Sequence, residues 1–164
     1  MSISLAIHMN EKDWSEWFVS QGDKSFRGRQ IMDWMYIRHS FAPLEFSNIP
    51  KLLREMLNAE FNWSLPQIDT LLPSEDGSEK ILLKLQDGFF AECVLMPSDN
   101  RVTLCVSSQV GCRMACTFCQ TGKMGLSRNL TMGEILSQVV IANKRLIERN
   151  ILNRSVTNIV FMGM

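Results

Sequence analysis

The spacing of apolar residues changes once along this 164-residue chain, near residue 65, and that change limits the fold more than any other feature. Upstream, apolar side chains recur at helical intervals: Trp14, Trp17 and Phe18 in NEKDWSEWFV, then Ile31, Trp34 and Met35 in RGRQIMDWMYIRH, then KLLREMLNAEF. Asn10, with Asp13 three residues on, makes a capping-box-like start for the first helix, and GDKSF ends it. Ser47 and Pro50 suit the start of the third helix. The aromatic residues are expected to form the core of this small bundle. Downstream the pattern becomes short β-like runs, QIDTLL, EKILLKLQ, FFAECVLMP and VTLCVSSQ, separated by SEDGS, Asp87-Gly88 and PSDNR. Asp-Gly between apolar runs predicts a hairpin, so these runs predict an antiparallel meander. Thr131 and Glu134 then form a second capping box, opening a helix with Ile135, Val139, Ala142 and Leu146 down one face. VTNIVFMGM follows as a fully buried strand.

Strand, loop, helix, strand is a βαβ unit, which implies parallel pairing and a right-handed crossover. The expected class is α/β. A helical domain would cover residues 1–62, a linker and β-extension 63–101, and a first βαβ portion 102–164. A chain that stops directly after an apolar parallel strand leaves its edge unprotected, so the sequence is expected to be an incomplete piece of something larger. Lys plus Arg and Asp plus Glu number 17 each, so bulk charge gives no argument for nucleic acid, and any RNA contact must come from local patches. No apolar run approaches the roughly 20 residues of a membrane span. The start, MSISLAIHMNEKDW, lacks the pattern of a secretory signal. The five cysteines, an odd number with three clustered, make a poor disulfide framework, and a cytoplasmic protein is expected.

The clustered cysteines are Cys112, Cys116 and Cys119 in VGCRMACTFCQTG. Structural zinc uses Cys and His in sets of four. The two histidines, His8 and His39, lie in another segment, although Cys93 or Cys105 could in principle supply a fourth thiolate. A complete four-cysteine electron-transfer cluster lacks the same ligand. Three unligated buried cysteines fit poorly with so polar a loop. The remaining option uses the vacancy: a [4Fe–4S] cluster on three thiolates leaves one iron open to the amine and carboxylate of an amino-acid-like ligand. C-x₃-C-x₂-C with an aromatic residue, Phe118, before the last cysteine is the signature of radical S-adenosylmethionine enzymes. In those enzymes the cofactor carries the difficult chemistry and the protein positions it.

The flanks sharpen this. TLCVSSQVGCRMACTFCQTGKMGLSRNLTMGEI, continuing to VTNIVFMGM, resembles the radical-SAM RNA adenine-C2 methyltransferases, the RlmN/Cfr family, in its N-terminal portion. FRGRQIMDWMY and SNIPKLLREML are similar to that family's small helical domain, and DGFFAECVLMP to its β-extension. The resemblance implies a truncated partial (β/α) barrel and a [4Fe–4S] cluster on Cys112, Cys116 and Cys119 with S-adenosyl-L-methionine bound to it. It implies that Glu92 is the proton acceptor at adenine C2, helped by apolar neighbours. Cys105 becomes the resolving cysteine of a transient disulfide, while Cys93 stays a small buried strand residue. Gly163 and Met164 match the start of the segment that meets S-adenosylmethionine. The family's methyl-carrying cysteine lies far beyond this stretch, so this polypeptide alone is expected to be inactive. The implied partners are 23S rRNA, tRNA and an electron donor such as flavodoxin, with a monomer when full length and no membrane. A C8-methylating relative and a non-catalytic RNA- or metal-binding remnant are the alternatives. Lys24, Arg27, Arg29, Arg38, Arg113, Lys123 and Arg128 are the basic residues placed to meet phosphate, solvated surface charge being the other reading.

Overall fold

Residues 4–150 and 155–161 are described by the structure, a computed structural model, and they divide after Leu65 into two units. In the first, Asn10 caps helix α1 (Glu11–Ser20): its side chain accepts from the backbone N–H of Lys12 and Asp13, and Asp13 accepts from the N–H of Asn10. Helix α2 (Arg27–Met32) widens into a π-type turn over Asp33–Ile37, where a single regular helix was predicted. Ile31, Trp34 and Met35 are all buried, as their helical spacing predicts. Helix α3 (Lys51–Glu60) starts directly after Pro50, with no side-chain cap from Ser47. Short strands β1 (Ser4–Leu5) and β2 (Phe61–Asn62) pair in parallel and bring the two ends of the unit together.

The aromatic residues do form this unit's core. Trp14, Phe18 and Phe46 are fully buried, and Trp34 and Trp63 nearly so; Trp17 is only half-buried. Trp14 stacks on Trp63 at 5.4 Å between ring centroids, and Trp34 stacks on Phe46 at 5.0 Å. The indole N–H groups of Trp34 and Trp63 donate to the side chain of Asn48 and to the Leu57 carbonyl.

The second unit is built on one five-stranded sheet, whose fifth strand comes from residues 158–161 and lies beside the fourth. Strands β3 (Gln67–Pro73), β4 (Glu79–Lys84), β5 (Phe90–Pro97) and β6 (Val102–Val106) run as the expected antiparallel meander. The β4–β5 turn is the Asp87-Gly88 hairpin, with Gly88 at φ 86°. Period-2 alternation puts Ile81, Leu83, Ala91, Cys93, Leu95, Val102, Leu104 and Val106 on the buried side.

Beyond β6 lies a hairpin that the sequence pattern did not reveal. Strands β7 (Gln109–Gly111) and β8 (Leu126–Asn129) pair antiparallel and enclose the cysteines and a short helix α4 (Gln120–Lys123). Helix α5 (Met132–Glu148) opens on the predicted Thr131/Glu134 capping box and packs on β6. Its buried side is Ser137, Gln138, Val140, Ile141, Ala142 and Leu146, whereas Ile135 and Val139, predicted for that side, are half-buried. The stripe is turned because Gln138 is drawn inward by hydrogen bonds to the end of β6. Strand β9 (Asn158–Phe161) pairs parallel with β6, completing the βαβ unit. It is not the fully buried strand that was predicted: Ile159 is 50% and Phe161 61% exposed, since β9 has β6 as its single neighbour among the described residues. The outer strands β3 and β9 do not meet, so no closed barrel forms among the described residues.

Candidate functional site

The cysteine loop is closed at its base by glycine. Gly111, at φ 75°, approaches Gly125 so closely that a Cβ at position 111 would sit 1.8 Å from the Gly125 carbonyl oxygen. Only glycine fits, on both backbone conformation and space. The same carbonyl accepts from the N–H of Cys112 at 3.0 Å. Higher in the loop, Cys119 N–H donates to the Cys116 carbonyl, and Gly122 lies against the Cys116 backbone, where a Cβ would come within 2.9 Å. Ala115 takes a left-handed conformation, φ 50°, to carry the chain round.

This loop holds three of the five cysteines, and none of the five is in a disulfide. Cys112 is buried at the loop's base, whereas Cys116 and Cys119 are half-exposed on its turn. Phe118 and Met114 project outward, 90% and 76% exposed. The soft donor set and the glycine cradle around Cys116 suit a three-thiolate cluster. The thiols do not converge as they stand: among the described residues no three His, Cys, Asp or Glu side chains are close enough to hold a metal ion.

Glu92 and Cys105 lie on the sheet face opposite the buried one. The register pairs Val94 with Cys105, so the alternating residues Glu92 and Val94 share that face with Cys105. Glu92 is half-buried and pairs with Lys80, Nζ to Oε1 3.3 Å, rather than sitting among apolar neighbours alone. Cys93 points the other way, 1% exposed, and burial, with lesser contributions from Cys105 and Glu92, pushes its thiol up to about 12. It is a packing residue. A cavity of about 260 Å³ separates the strand of Glu92 from the cysteine loop. Leu82, Phe90 and Glu92 line one wall, and Gly111, Thr121 and Met124 line the other.

Two polar clamps that the sequence pattern did not disclose hold these walls. Gln138, fully buried, accepts from Ser107 N–H and donates to the Ser107 carbonyl, both at 2.9 Å, fixing α5 to the end of β6. Arg128 on β8 uses every guanidinium hydrogen. Nε and Nη2 donate to Asp87, Nη1 and Nη2 to the two oxygens of Glu134, and Nη1 also to the Asn129 carbonyl. Burial raises the Glu134 carboxyl, but Arg128 and the Thr131 N–H outweigh it and hold the group below its ordinary range. Arg128 therefore has no donor left for a phosphate. Arg27 is similarly engaged, with Asp23 and the Asn48 carbonyl, and Arg38 lies 4.4 Å over the Trp34 ring. Lys24, Arg29, Arg113 and Lys123 are exposed. Gly163 and Met164 lie outside the described residues.

Residues 6–62 match the family described as the ribosomal RNA large subunit methyltransferase N-terminal domain, RlmN_N. The chain is similar to the dual-specificity RNA methyltransferase RlmN of Halorhodospira halophila, 44% identical over 147 residues, which are 90% of this chain and 40% of that protein. It is 46% identical over 149 residues to the probable dual-specificity RNA methyltransferase RlmN of Clostridium perfringens strain SM101, covering 90% of this chain and 41% of that one. A crystal structure of a radical SAM methyltransferase from Sphaerobacter thermophilus superimposes with a TM-score of 0.86 at 37% identity, over 98% of this chain and 47% of the other. The chain thus spans about 40% of the length of the curated relatives it matches.

Proposed function

The chain is a relative of the RlmN methyltransferases over nine-tenths of its length, and from that premise we propose that it forms the N-terminal part of a radical S-adenosylmethionine enzyme methylating C2 of adenine in 23S rRNA and tRNA. Cys112, Cys116 and Cys119 would hold the [4Fe–4S] cluster, and Gly163 and Met164 would begin the segment that meets S-adenosylmethionine. When bound, the cluster would supply one-electron reduction of S-adenosylmethionine, and a flavodoxin-type protein would be its electron donor. Glu92, facing the cavity, takes the proton from adenine C2, with Lys80 holding its carboxylate in place. Cys105 presents a half-exposed thiol on the same face. Its thiolate would attack the sulfur of a distal, methyl-carrying cysteine, so that a disulfide forms as the bond from that sulfur to the adenine-linked methylene breaks, and the electron pair left on carbon takes a proton to complete the methyl group. The helical unit contributes exposed Lys24 and Arg29 to phosphate contact, which orients RNA without reading its sequence. The observation that carries this reading is the glycine-closed loop with its three cysteines outside any disulfide, set across one cavity from Glu92.

Anaerobic reconstitution with iron and sulfide, followed by EPR of the reduced protein with and without S-adenosylmethionine, tests it. A [4Fe–4S] signal that shifts when S-adenosylmethionine is added supports the reading. Tight zinc binding with no such cluster refutes it and returns the cysteines to a structural role. Mass spectrometry of the product adenine from the longer enzyme then separates C2 from C8 methylation.

A further inference from the structure

We propose that Arg128 is a positioning residue that sets the gap between the cysteine loop and the strand of Glu92, a role that rests on the reading of the loop as a cluster site. Three separate elements meet at its guanidinium. Asp87 belongs to the β4–β5 turn, where it also accepts from the N–H of Phe89, one residue before β5 begins and three before Glu92. Glu134 belongs to the first turn of α5 and also accepts from the Thr131 N–H at 2.8 Å. Arg128 itself lies on the return strand of the loop, opposite Val110. Beneath the clamp, Leu85, Ala91, Val110 and Leu130 form one buried apolar cluster, packed by Ile135.

The arrangement joins the two cavity walls by a single side chain. One wall leaves the Asp87 turn directly into β5; the other is the loop whose base is Gly111 and Gly125. The carboxylates that grip Arg128 are 39% and 16% exposed, so these are charge-assisted bonds partly shielded from water. Lysine at this position carries the charge but lacks the planar fork that reaches two carboxylates and a carbonyl together. Releasing Arg128 therefore frees the loop to move away from β5 while the α5 cap, Thr131 to Glu134, stays intact.

The test compares R128M, R128K and D87N with the full wild-type chain in three measurements. These are the alkylation rate of Cys112 in the iron-free protein, iron and sulfide retained after anaerobic reconstitution, and thermal unfolding by circular dichroism. Cys112 sits at the loop's base and is 6% exposed, so its reactivity reports loop opening. R128M should raise that rate by roughly tenfold or more, as the loss of hydrogen bonds to charged groups implies, and lower iron retention. R128K should recover part of both, and D87N should loosen the loop without touching Glu134. R145M supplies the control, because it removes a comparably buried pair with Glu79 at the far end of α5. If R145M changes Cys112 reactivity and iron content as much as R128M does, the effect is general destabilisation and the proposal is overturned. It is equally overturned if R128M leaves the Cys112 rate within twofold of wild type. A wild-type chain that takes up no iron overturns the cluster reading instead, and a Cys112 rate still raised in R128M then supports the clamp alone.

Discussion

Replacing Gln138 by leucine removes one side chain and orphans two backbone groups. Gln138 is fully buried and Ser107 is 1% exposed, so neither Ser107 N–H nor its carbonyl can turn to water. Each buried group left without a partner costs about 1–3 kcal/mol, giving about 4 kcal/mol for the pair. Leucine recovers about 1 kcal/mol through its greater apolar character. The net loss is about 3 kcal/mol, or a hundredfold or so in the opening constant of the second unit. Q138E gives the same argument a sign with pH. Its carboxylate can accept from Ser107 N–H but has a proton for the Ser107 carbonyl only when protonated. Its folded pKa is therefore raised above the unfolded value of about 4.3. The stabilisation from this contact is fully present below that value and is lost as pH rises through the folded pKa, by up to about 1.4 kcal/mol per unit. Hydrogen exchange of residues 102–111 and 132–148, followed by mass spectrometry at pH 4.5 and 7, reads both effects against wild type at each pH. Q138L within about 0.5 kcal/mol of wild type, or a Q138E penalty that does not grow with pH, refutes the clamp.

The glycine closure predicts a contrast between neighbours. G111A must push the loop's base apart and should cost about 3 kcal/mol, whereas G125A, at φ 71° with nothing within 4 Å of its Cβ, should cost only about 1 kcal/mol, both measured by thermal unfolding. Iodoacetamide at pH 8 should label Cys116 and Cys119 and leave Cys93 unlabelled, because burial pushes that thiol up to about 12; peptide mass mapping decides it. Glu134 is held below its ordinary range, so its contribution is present above about pH 4.5 and is lost as pH falls through the lower folded value. The acid side of the stability profile should therefore be flatter in E134Q than in wild type.

What could be read from the sequence was local. Both capping boxes, the Asp87-Gly88 hairpin and the meander depend on residues a few positions apart, and all of them are present. The β7–β8 hairpin escaped because β7 and β8 are only three and four residues long and 14 residues separate Gly111 from Leu126, too brief and too far apart for a periodic signal. The turned face of α5 escaped for another reason: a glutamine on a predicted helix reads as solvent-facing, and only its bonds to Ser107, 31 residues away, draw it inward. Arg128 stood among the candidates for phosphate contact, with solvated surface charge as the other reading, because its partners Asp87 and Glu134 are scattered along the chain, although the Glu134 cap was itself visible. The cysteine spacing marked three thiols on one loop, and nothing in that spacing says that Cys112 lies buried while Cys116 and Cys119 are half-exposed.

The aromatic packing described for the first unit also fixes what an optical experiment on this protein can see. All four tryptophans, at positions 14, 17, 34 and 63, and the single tyrosine, Tyr36, fall before Leu65. Intrinsic fluorescence is thus a reporter of the helical unit alone, and the sheet that carries the cysteine loop is dark to it. An emission-monitored melt registers unfolding of the sheet only where it carries the helical unit with it, so a mutation there calls for a second probe. A tryptophan introduced at exposed Phe89, read as the difference from wild-type emission, would give the sheet a signal of its own beside the cysteine loop.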